Sequence, residues 1–433
     1  MDDLLIGSFL AALLWGVISW KWPKRAFAFL PLLLPSYVVR LHLGPIPTTL
    51  LELLLLATFI GWFMRRGRLE AWMRATLWRW PVILWLTAGL VAVLVSPVTA
   101  QALGLYRAYF IEPLLIFFMG LDLIRTREDK AMLAKTFAVA VMLLGIWSAA
   151  QFFTGWMIPS PWNAWPGRRA VGPFPFPNAL ALFVTPVIAL LFADAIADHQ
   201  GAKAAPLLGT WISAAGILAG LSAILFARSD GGFIAFLAAA CIALVMKRRT
   251  RWIALVIAVA GMIAVFASPL RGAVVERFTF QEWSGQVRVI LWKESIAMLR
   301  DRPIFGAGLA AYPTVILPYH KATFIEVFQY PHNILLNLWS ETGIFGVIAF
   351  LYILGTWIRF GKDSLPVTLP VIAALLVHGL VDVPYFKNDL AVAFWLLTLL
   401  TTATPVTKKM RGEHMQRRSI LHPKKLPESR PCI

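Results

Sequence analysis

The chain has 433 residues, of which 59% are hydrophobic and only 14% are charged. A soluble domain carries about 25% charged residues to cover its surface, so this composition excludes a soluble enzyme, a disordered chain and a disulfide scaffold. It predicts a polytopic membrane protein, and the 19 tryptophans and 29 phenylalanines agree because aromatic rings collect at membrane interfaces.

Thirteen apolar stretches follow in chain order, and several reach the roughly 20 residues that a helix needs to cross the hydrocarbon core. Since a helix satisfies all its backbone groups internally, we predict an all-α polytopic membrane protein. The number of transmembrane helices is 12 or 13, because the first two stretches are short. The stretches are 4–20, 26–40, 46–64, 80–96, 103–124, 131–154, 176–197, 207–227, 231–246, 252–268, 333–358, 366–382 and 389–405.

These stretches divide the chain into five regions. They are the N-terminal helices (1–154), the central helices with arginine-bearing outer loops (155–268), one long outer loop (269–332), the C-terminal helices (333–405) and a basic tail (406–433).

The net charge of +18 is distributed unevenly over the two ends of these helices. If successive loops alternate sides, one side receives 27 of the 40 lysines and arginines, and the positive-inside rule makes that side cytoplasmic. Topology and contact with anionic lipid therefore account for most of the charge, and nucleic acid is not needed as a partner. Ten of the 13 remaining cations, on the outer side, are arginines, whose guanidinium groups suit the oxygens of a phosphate-bearing ligand.

The long outer loop contains one amphipathic segment, at 285–300, where apolar residues recur at helical spacing opposite a charged face that includes Arg288 and Glu294. We predict a helix lying on or over the bilayer. Pro303, Gly306 and Gly308 then break the chain, and the whole loop is expected to form a flexible cap over a cavity at membrane level.

Three further segments place ionisable residues on the same outer side. The loop 155–177 carries Arg168 and Arg169, the junction 227–232 carries Arg228, and the segment HGLVDVPYFKND carries His378, Asp382 and Lys387. Ionisable groups are costly near a membrane, so such residues are candidates for a functional site.

Four stretches in this region resemble the O-antigen ligase family, which includes O-antigen polymerase-like and protein O-oligosaccharyltransferase-like members. The N-terminal helices match that family in hydropathy alone, and Asp230 stands where the family has no acid so close to the arginine. The stretches are RAVGPFPFPNALA (169–181), ARSDGG (227–232), RVILWKESIAMLRDRPIFGAGL (288–309) and PHNILLNLWSETGIFG (331–346).

The resemblance implies a glycosyltransferase in the cytoplasmic (inner) membrane with its site facing the periplasm. Such enzymes take a glycan from an undecaprenyl-pyrophosphate carrier and join it to an acceptor hydroxyl, with no cofactor, nucleotide sugar or metal. In ligases the acceptor is the lipid A core, and in polymerases it is another carrier-linked repeat. The ligase is favoured over the polymerase.

Transfer from a pyrophosphate needs stabilisation of the departing charge and activation of the attacking hydroxyl. We expect Arg288 and Arg228 to stabilise the charge and His332 to activate the hydroxyl. Substrate-binding roles are expected for a second group, Arg168, Arg169, Arg302, His378 and Asp382.

Each candidate has a structural alternative. Arg168 and Arg169 would contact lipid headgroups, Arg228 would pair with Asp230, and Arg288 would be an exposed charge on its helix. His332 would cap a helix, and His378 and Asp382, four residues apart, would form a hydrogen-bonded pair.

Three neighbouring residues have other expected roles. Asn333 is expected to cap the eleventh helix, and Glu341 to stabilise helix packing. His320, with Lys321 beside it, is expected to be solvated.

A transporter or lipid flippase is the alternative from a different functional class. Transporters tend to contain paired repeats and broken helices with charges at mid-membrane. The sequence shows no convincing internal repeat, and the mid-span acids Glu52 and Glu112 are expected to be isolated. These features favour chemistry at one face.

Overall fold

The computed structural model describes residues 3–43, 46–66, 78–197, 206–247, 249–268 and 271–402. The predicted basic tail (406–433) lies outside these residues. The described part is almost entirely helical, and its only strands form one antiparallel hairpin, β1 (Arg40–Leu43) and β2 (Ile46–Thr49). The prediction of an all-α polytopic membrane protein is therefore confirmed.

A helix coincides with each of the thirteen apolar stretches. They are α1 (Asp3–Lys21), α2 (Pro23–Leu33), α3 (Leu50–Arg66), α4 (Arg79–Leu94), α5 (Thr99–Leu123), α6 (Arg127–Thr154), α7 (Pro177–Ile196), α8 (Thr210–Ala227), α9 (Asp230–Met246), α10 (Arg251–Ala267), α14 (Ile334–Phe360), α15 (Leu365–Gly379) and α16 (Asn388–Thr401), while α11 (Arg271–Phe278), α12 (Trp283–Asp301) and α13 (Tyr312–Val315) belong to the long outer loop.

Six of these helices are long and apolar enough to cross a membrane by length and composition, namely α1, α5, α6, α7, α8 and α14. The second stretch, 26–40, forms only the 11 residues of α2 and a 3-10 turn, Leu34–Val38. Pro35 begins that turn, where it interrupts the helical hydrogen bonding. The chain then continues into the hairpin β1–β2 rather than into a longer helix.

The core lies around α16 and α7, whose side chains are buried on almost every face. Trp395 of α16 packs against Phe117 of α5, Trp78 and Phe394 in tilted or edge-to-face contacts. Because lipid tails are as apolar as these side chains, close packing rather than the hydrophobic effect holds such helices together. A fully buried α16 therefore fixes the position of its first turn, which lies at the functional end of the molecule.

The long outer loop is anchored to the membrane helices in its second half. Ala307 N donates to Ser340 O (2.7 Å) and Ile344 N donates to Ile304 O (3.0 Å), so the chain near 304–307 binds a break in α14. Leu309 N donates to Ala92 O of α4 (3.1 Å). The expectation of a flexible cap over the whole loop is wrong for this segment.

Glycine explains why the loop docks where the sequence suggested only a chain break. Gly343 interrupts α14 with φ 64° and ψ −173°, a conformation that other residues rarely adopt. Gly306 (φ 66°) and Gly308 (φ 88°) bring the loop backbone against α14 and α4. The freed backbone groups of α14 thereby find partners in the loop.

Candidate functional site

Several loops meet at one end of the helical bundle. Ala170 N donates to Phe226 O (2.8 Å), which joins the loop after α6 to the end of α8. Arg288 Nε donates to Val381 O (2.9 Å), and Asn333 Nδ2 donates to Leu380 O (3.0 Å). We call the charged groups gathered here the polar site; they are Arg169, Arg228, Arg288, His332, His378, Asp382, Lys387 and Asp389.

Arg169 is held rigidly in the polar site. Its Nε donates to Ala227 O (2.8 Å) and its Nη2 donates to Asn178 Oδ1 (3.1 Å), while its guanidinium lies 5.0 Å from the centre of the Trp162 ring. Burial lowers the pKa of Arg169, and the neighbouring charges of Arg288 and Arg228 act in the same direction. An arginine remains charged despite such a shift, so three cations share this part of the site.

Arg228 ends α8 in the left-handed conformation (φ 47°). Its Nη2 donates to Pro166 O (2.9 Å). Asp230 instead forms an ion pair with Arg277 of α11 (2.8 Å). The expected alternative in which Arg228 pairs with Asp230 is therefore wrong, because the acid already has a partner from the outer loop.

α12 confirms the helix predicted for 285–300, and Arg288 lies near its beginning. Besides the bond to Val381, its Nη1 donates to Ser284 Oγ (2.7 Å). These contacts turn the side chain from α12 towards the loop after α15. Within the described residues, its Nη2 makes no protein hydrogen bond and so has donors to offer a ligand.

His332 and Asp382 form the second part of the polar site. His332 Nδ1 lies 3.4 Å from Asp382 Oδ1, and Asp382 is only 2% exposed. Burial alone would raise the pKa of Asp382, but the hydrogen bond and charge of His332 and the charge of Lys387 hold that pKa below its usual range. Nδ1 of His332 therefore faces the carboxylate, the arrangement in which Nε2 is the ring nitrogen that can take a substrate proton.

The backbone at His332 is unusual. Its φ of 49° is uncommon for a residue other than glycine, and its ring contacts those of Phe328 and Tyr330, with centres 5.2 and 4.8 Å away. Residues kept in such conformations cluster at functional sites. The cap of α14 is the next residue, Asn333, whose Oδ1 accepts from Leu335 N (3.0 Å), so the capping role predicted for Asn333 is confirmed.

The expected side-chain pair between His378 and Asp382 does not form. Asp382 N donates to His378 O (3.1 Å) just beyond the end of α15, but the carboxylate of Asp382 contacts His332 instead. Within the described residues, His378 Nδ1 is buried without a hydrogen-bond partner. Both residues nevertheless belong to the polar site.

Two of the sequence-predicted residues are not brought into the polar site. Arg168 Nη1 donates to the carbonyls of Phe152 (3.0 Å) and Phe153 (3.4 Å) at the end of α6, which is a helix-capping contact. Arg302 is exposed and follows the last residue of α12, roughly 21 Å of helical rise from Arg288.

Lys387 was predicted to lie on the outer side, but no role was predicted for it. Its Nζ is buried, lies 4.8 Å from the centre of the Phe176 ring and has no hydrogen bond or ion pair with a described residue. Burial lowers its pKa, while the charges of Asp382 and Asp389 oppose that shift. In the sequence, the position of Lys387 is marked only by the acids on either side of it, Asp382 and Asp389, just before an apolar stretch begins.

Glu341 and His320 have structural roles in the outer loop. Glu341 Oε2 accepts from Ala310 N (2.6 Å). This buried acid of α14 therefore binds the backbone of the outer loop instead of stabilising the packing of two helices. His320 Nδ1 lies 2.9 Å from Glu294 Oε2, and both side chains are about nine-tenths buried, at 11% and 9% exposure. The expectation of a solvated His320 is wrong, because α12 turns Glu294 inward towards it.

Glu52 and Glu112 are not isolated either. Glu52 Oε2 accepts from Arg107 Nη2 (2.5 Å) and from Thr48 Oγ1 (2.6 Å), and Glu112 Oε1 lies 3.1 Å from Arg107 Nε. Arg107 thus forms ion pairs with both acids, so the three side chains form one ion-paired cluster instead of two isolated charges. The sequence spacing concealed it because Glu52 and Arg107 lie on different helices.

The geometry supplies what transfer from a phosphorylated donor requires. A set of fixed guanidinium groups lies beside a histidine that an ionised carboxylate orients. Residues 215–351, from within α8 to within α14, match the family model described as O-antigen ligase. No curated protein matches the chain.

Proposed function

We propose that the chain, whose residues 215–351 match the O-antigen ligase family model, transfers a glycan from an undecaprenyl-pyrophosphate carrier to a hydroxyl of the lipid A core. The observation that carries the proposal is the juxtaposition of Arg169, Arg228 and Arg288 with the His332–Asp382 pair. The first group suits a diphosphate, and the second suits an alcohol that must lose a proton.

The arginines act on the leaving group. When the bond between the sugar's anomeric carbon and the phosphate oxygen breaks, negative charge develops on the diphosphate. Guanidinium groups already held by Ala227 O, Pro166 O and Val381 O need little reorganisation to stabilise it. Removing one preorganised donor of this kind costs about 3–4 kcal/mol of transition-state stabilisation.

His332 acts on the acceptor. Its Nε2 takes the proton of the acceptor hydroxyl as the oxygen bonds to the anomeric carbon, and Asp382 stabilises the imidazolium that results. The 3.4 Å contact is long for a hydrogen bond and shortens once substrates are bound, as is common for catalytic contacts. The products are the extended acceptor and undecaprenyl pyrophosphate.

The location follows from the charges at the other end of the bundle. Lys24 pairs with Asp129 (3.0 Å), Arg127 Nη2 donates to Pro206 O (2.6 Å) and Lys130 Nζ donates to Leu400 O (3.0 Å). These groups lie at the ends of the helices opposite to the polar site. The positive-inside rule favours the cytoplasm for that end. The polar site would then face the periplasm from the inner membrane.

Purified protein with a polyprenyl-pyrophosphate glycan tests the proposal, with core lipid and a second carrier-linked glycan offered separately as acceptors. Product on the core lipid supports a ligase, and product on the carrier-linked glycan alone supports the polymerase of the same family. No product on either acceptor, together with movement of the donor across a vesicle membrane, would support the flippase instead.

A further inference from the structure

Besides His332 Nδ1, which lies 3.4 Å from Asp382 Oδ1, three polar atoms of the polar site are buried without a protein hydrogen bond in the described part of the chain. They are Lys387 Nζ, Asp389 Oδ1 and His378 Nδ1. Asp389 is 1% exposed and His378 is 2% exposed. A buried polar atom without a hydrogen bond costs free energy, so three of them together are suited to bind a polar ligand.

The three groups lie at one place because the start of α16 is fixed. Lys387 is the residue before α16 and Asp389 lies in its first turn. Between them, Asn388 Nδ2 donates to the buried Glu52 Oε1 (2.7 Å). Lys387 also lies over Phe176, two residues before the Asn178 that receives a bond from Arg169. The orphan groups therefore adjoin the arginines and share Asp382 with His332.

The charge balance around Lys387 differs from that around the arginines. Arg169, Arg228 and Arg288 face one acid, Asp230, which is already paired with Arg277. The single ammonium of Lys387 instead lies between two acids, Asp382 and Asp389. A second phosphate would be repelled by those acids, whereas an uncharged group would not be.

A hydroxyl group meets these requirements, because it accepts from an ammonium and donates to a carboxylate at the same time. Neighbouring hydroxyls on a sugar ring would satisfy Lys387 and Asp389 together. Aromatic rings complete the surroundings, since Tyr37 and Tyr109 lie near Asp389 and Tyr37 packs against Phe174 (6.2 Å between ring centres). Such rings pack against the apolar faces of sugars.

We propose that Lys387 and Asp389 bind hydroxyl groups of the acceptor sugar and thereby present it to His332. The acceptor is favoured over the donor sugar because the charges of Lys387 and His332 both act on Asp382, so a sugar held by Lys387 lies close to the base that must meet the attacking hydroxyl. This inference rests on the proposed function, since it assigns one substrate of that reaction to a second part of the same site.

The test is steady-state transfer by the Lys387→Met and Asp389→Asn variants of the full chain, with acceptor and donor varied separately. Hydrogen bonds to charged groups contribute about 1.5–3 kcal/mol, so we expect the KM for the acceptor to rise about 10- to 100-fold. The KM for the donor should stay within about twofold of wild type. Lys321→Met, at an exposed loop lysine, is the matched control and should leave both constants unchanged.

Thermal unfolding separates ligand binding from a structural role. Removing the ammonium takes a favourable charge from Asp382, so some loss of unfolding temperature is expected in Lys387→Met. The rise in the KM for the acceptor should nevertheless appear at temperatures where the variant remains fully folded. Should Lys387→Met fail to fold, Lys387→Arg and Asp389→Asn carry the same kinetic test.

An unchanged KM for the acceptor, a rise in the KM for the donor instead, or a loss confined to stability would overturn the inference. Wild-type protein that transfers to neither acceptor would contradict the proposed function itself. Active wild type with unaffected Lys387 and Asp389 variants would contradict only the acceptor assignment.

Discussion

At the scale of single residues, Arg288 is the clearest link between the outer loop and the proposed leaving group. It is fixed to Val381 and Ser284 through two of its nitrogens and has Nη2 left for phosphate. A guanidinium binds phosphate through two parallel bonds, whereas an ammonium is a point charge. The type of cation therefore matters at this position as well as its charge.

Arg288→Lys should lower kcat/KM for transfer by about 10- to 100-fold, because it keeps the charge but loses the paired donors. Initial rates with a purified donor measure the effect. Arg302→Lys, at the exposed far end of α12, is the control and should transfer at the wild-type rate. Equal rates for both variants would make Arg288 an ordinary surface charge.

His332→Ala should lower kcat by about 10²- to 10⁴-fold, the usual contribution of a general base. Asp382→Asn should also lower kcat, since the amide does not stabilise the imidazolium. The acceptor concentration must be saturating so that binding does not limit the rate. A folded His332→Ala protein that transfers at full rate would remove the histidine from the proposed chemistry.

At the scale of elements, the break in α14 at Gly343 fixes the outer loop. A side chain on Gly343 would require the strained conformation φ 64°, ψ −173° and would collide with the backbone of Ile304. We expect Gly343→Ala to destabilise the protein by about 1–3 kcal/mol or more. Gly355→Ala in the same helix meets no neighbour and should be neutral or stabilising; thermal unfolding in detergent compares the two.

The contact between His320 and Glu294 makes the loop after α12 sensitive to pH. The hydrogen bond to Glu294 raises the pKa of His320 above its usual value. A raised pKa means that this contact stabilises the loop fully below about pH 6.5 and that the stabilisation is lost as pH rises through the higher, folded-state value. Hydrogen exchange over 312–330 should therefore accelerate more between pH 6 and 9 in wild type than in His320→Gln, after correction for intrinsic rates. Identical pH dependence would contradict the assignment.

At the scale of the whole molecule, the helices were predictable and most of the site geometry was not. Apolar length alone located thirteen helices, because lipid imposes that requirement on each segment separately. The pairing of His332 with Asp382, the anchoring of residues 304–309 on α14 and the burial of Lys387 depend on residues distant in sequence. No local periodicity carries that information, so the four-residue spacing of His378 and Asp382 suggested as an alternative a side-chain pair that does not form.

The central claim is that one diphosphate binds among Arg169, Arg228 and Arg288 beside His332. A cryo-electron-microscopy structure with bound undecaprenyl pyrophosphate measures this most directly. We predict that phosphate oxygens lie within hydrogen-bonding distance of at least two of the three guanidinium groups, with the terminal phosphate, which carries the sugar in the donor, directed towards His332 Nε2. A diphosphate bound elsewhere, with these arginines contacting protein carbonyls alone, would contradict it.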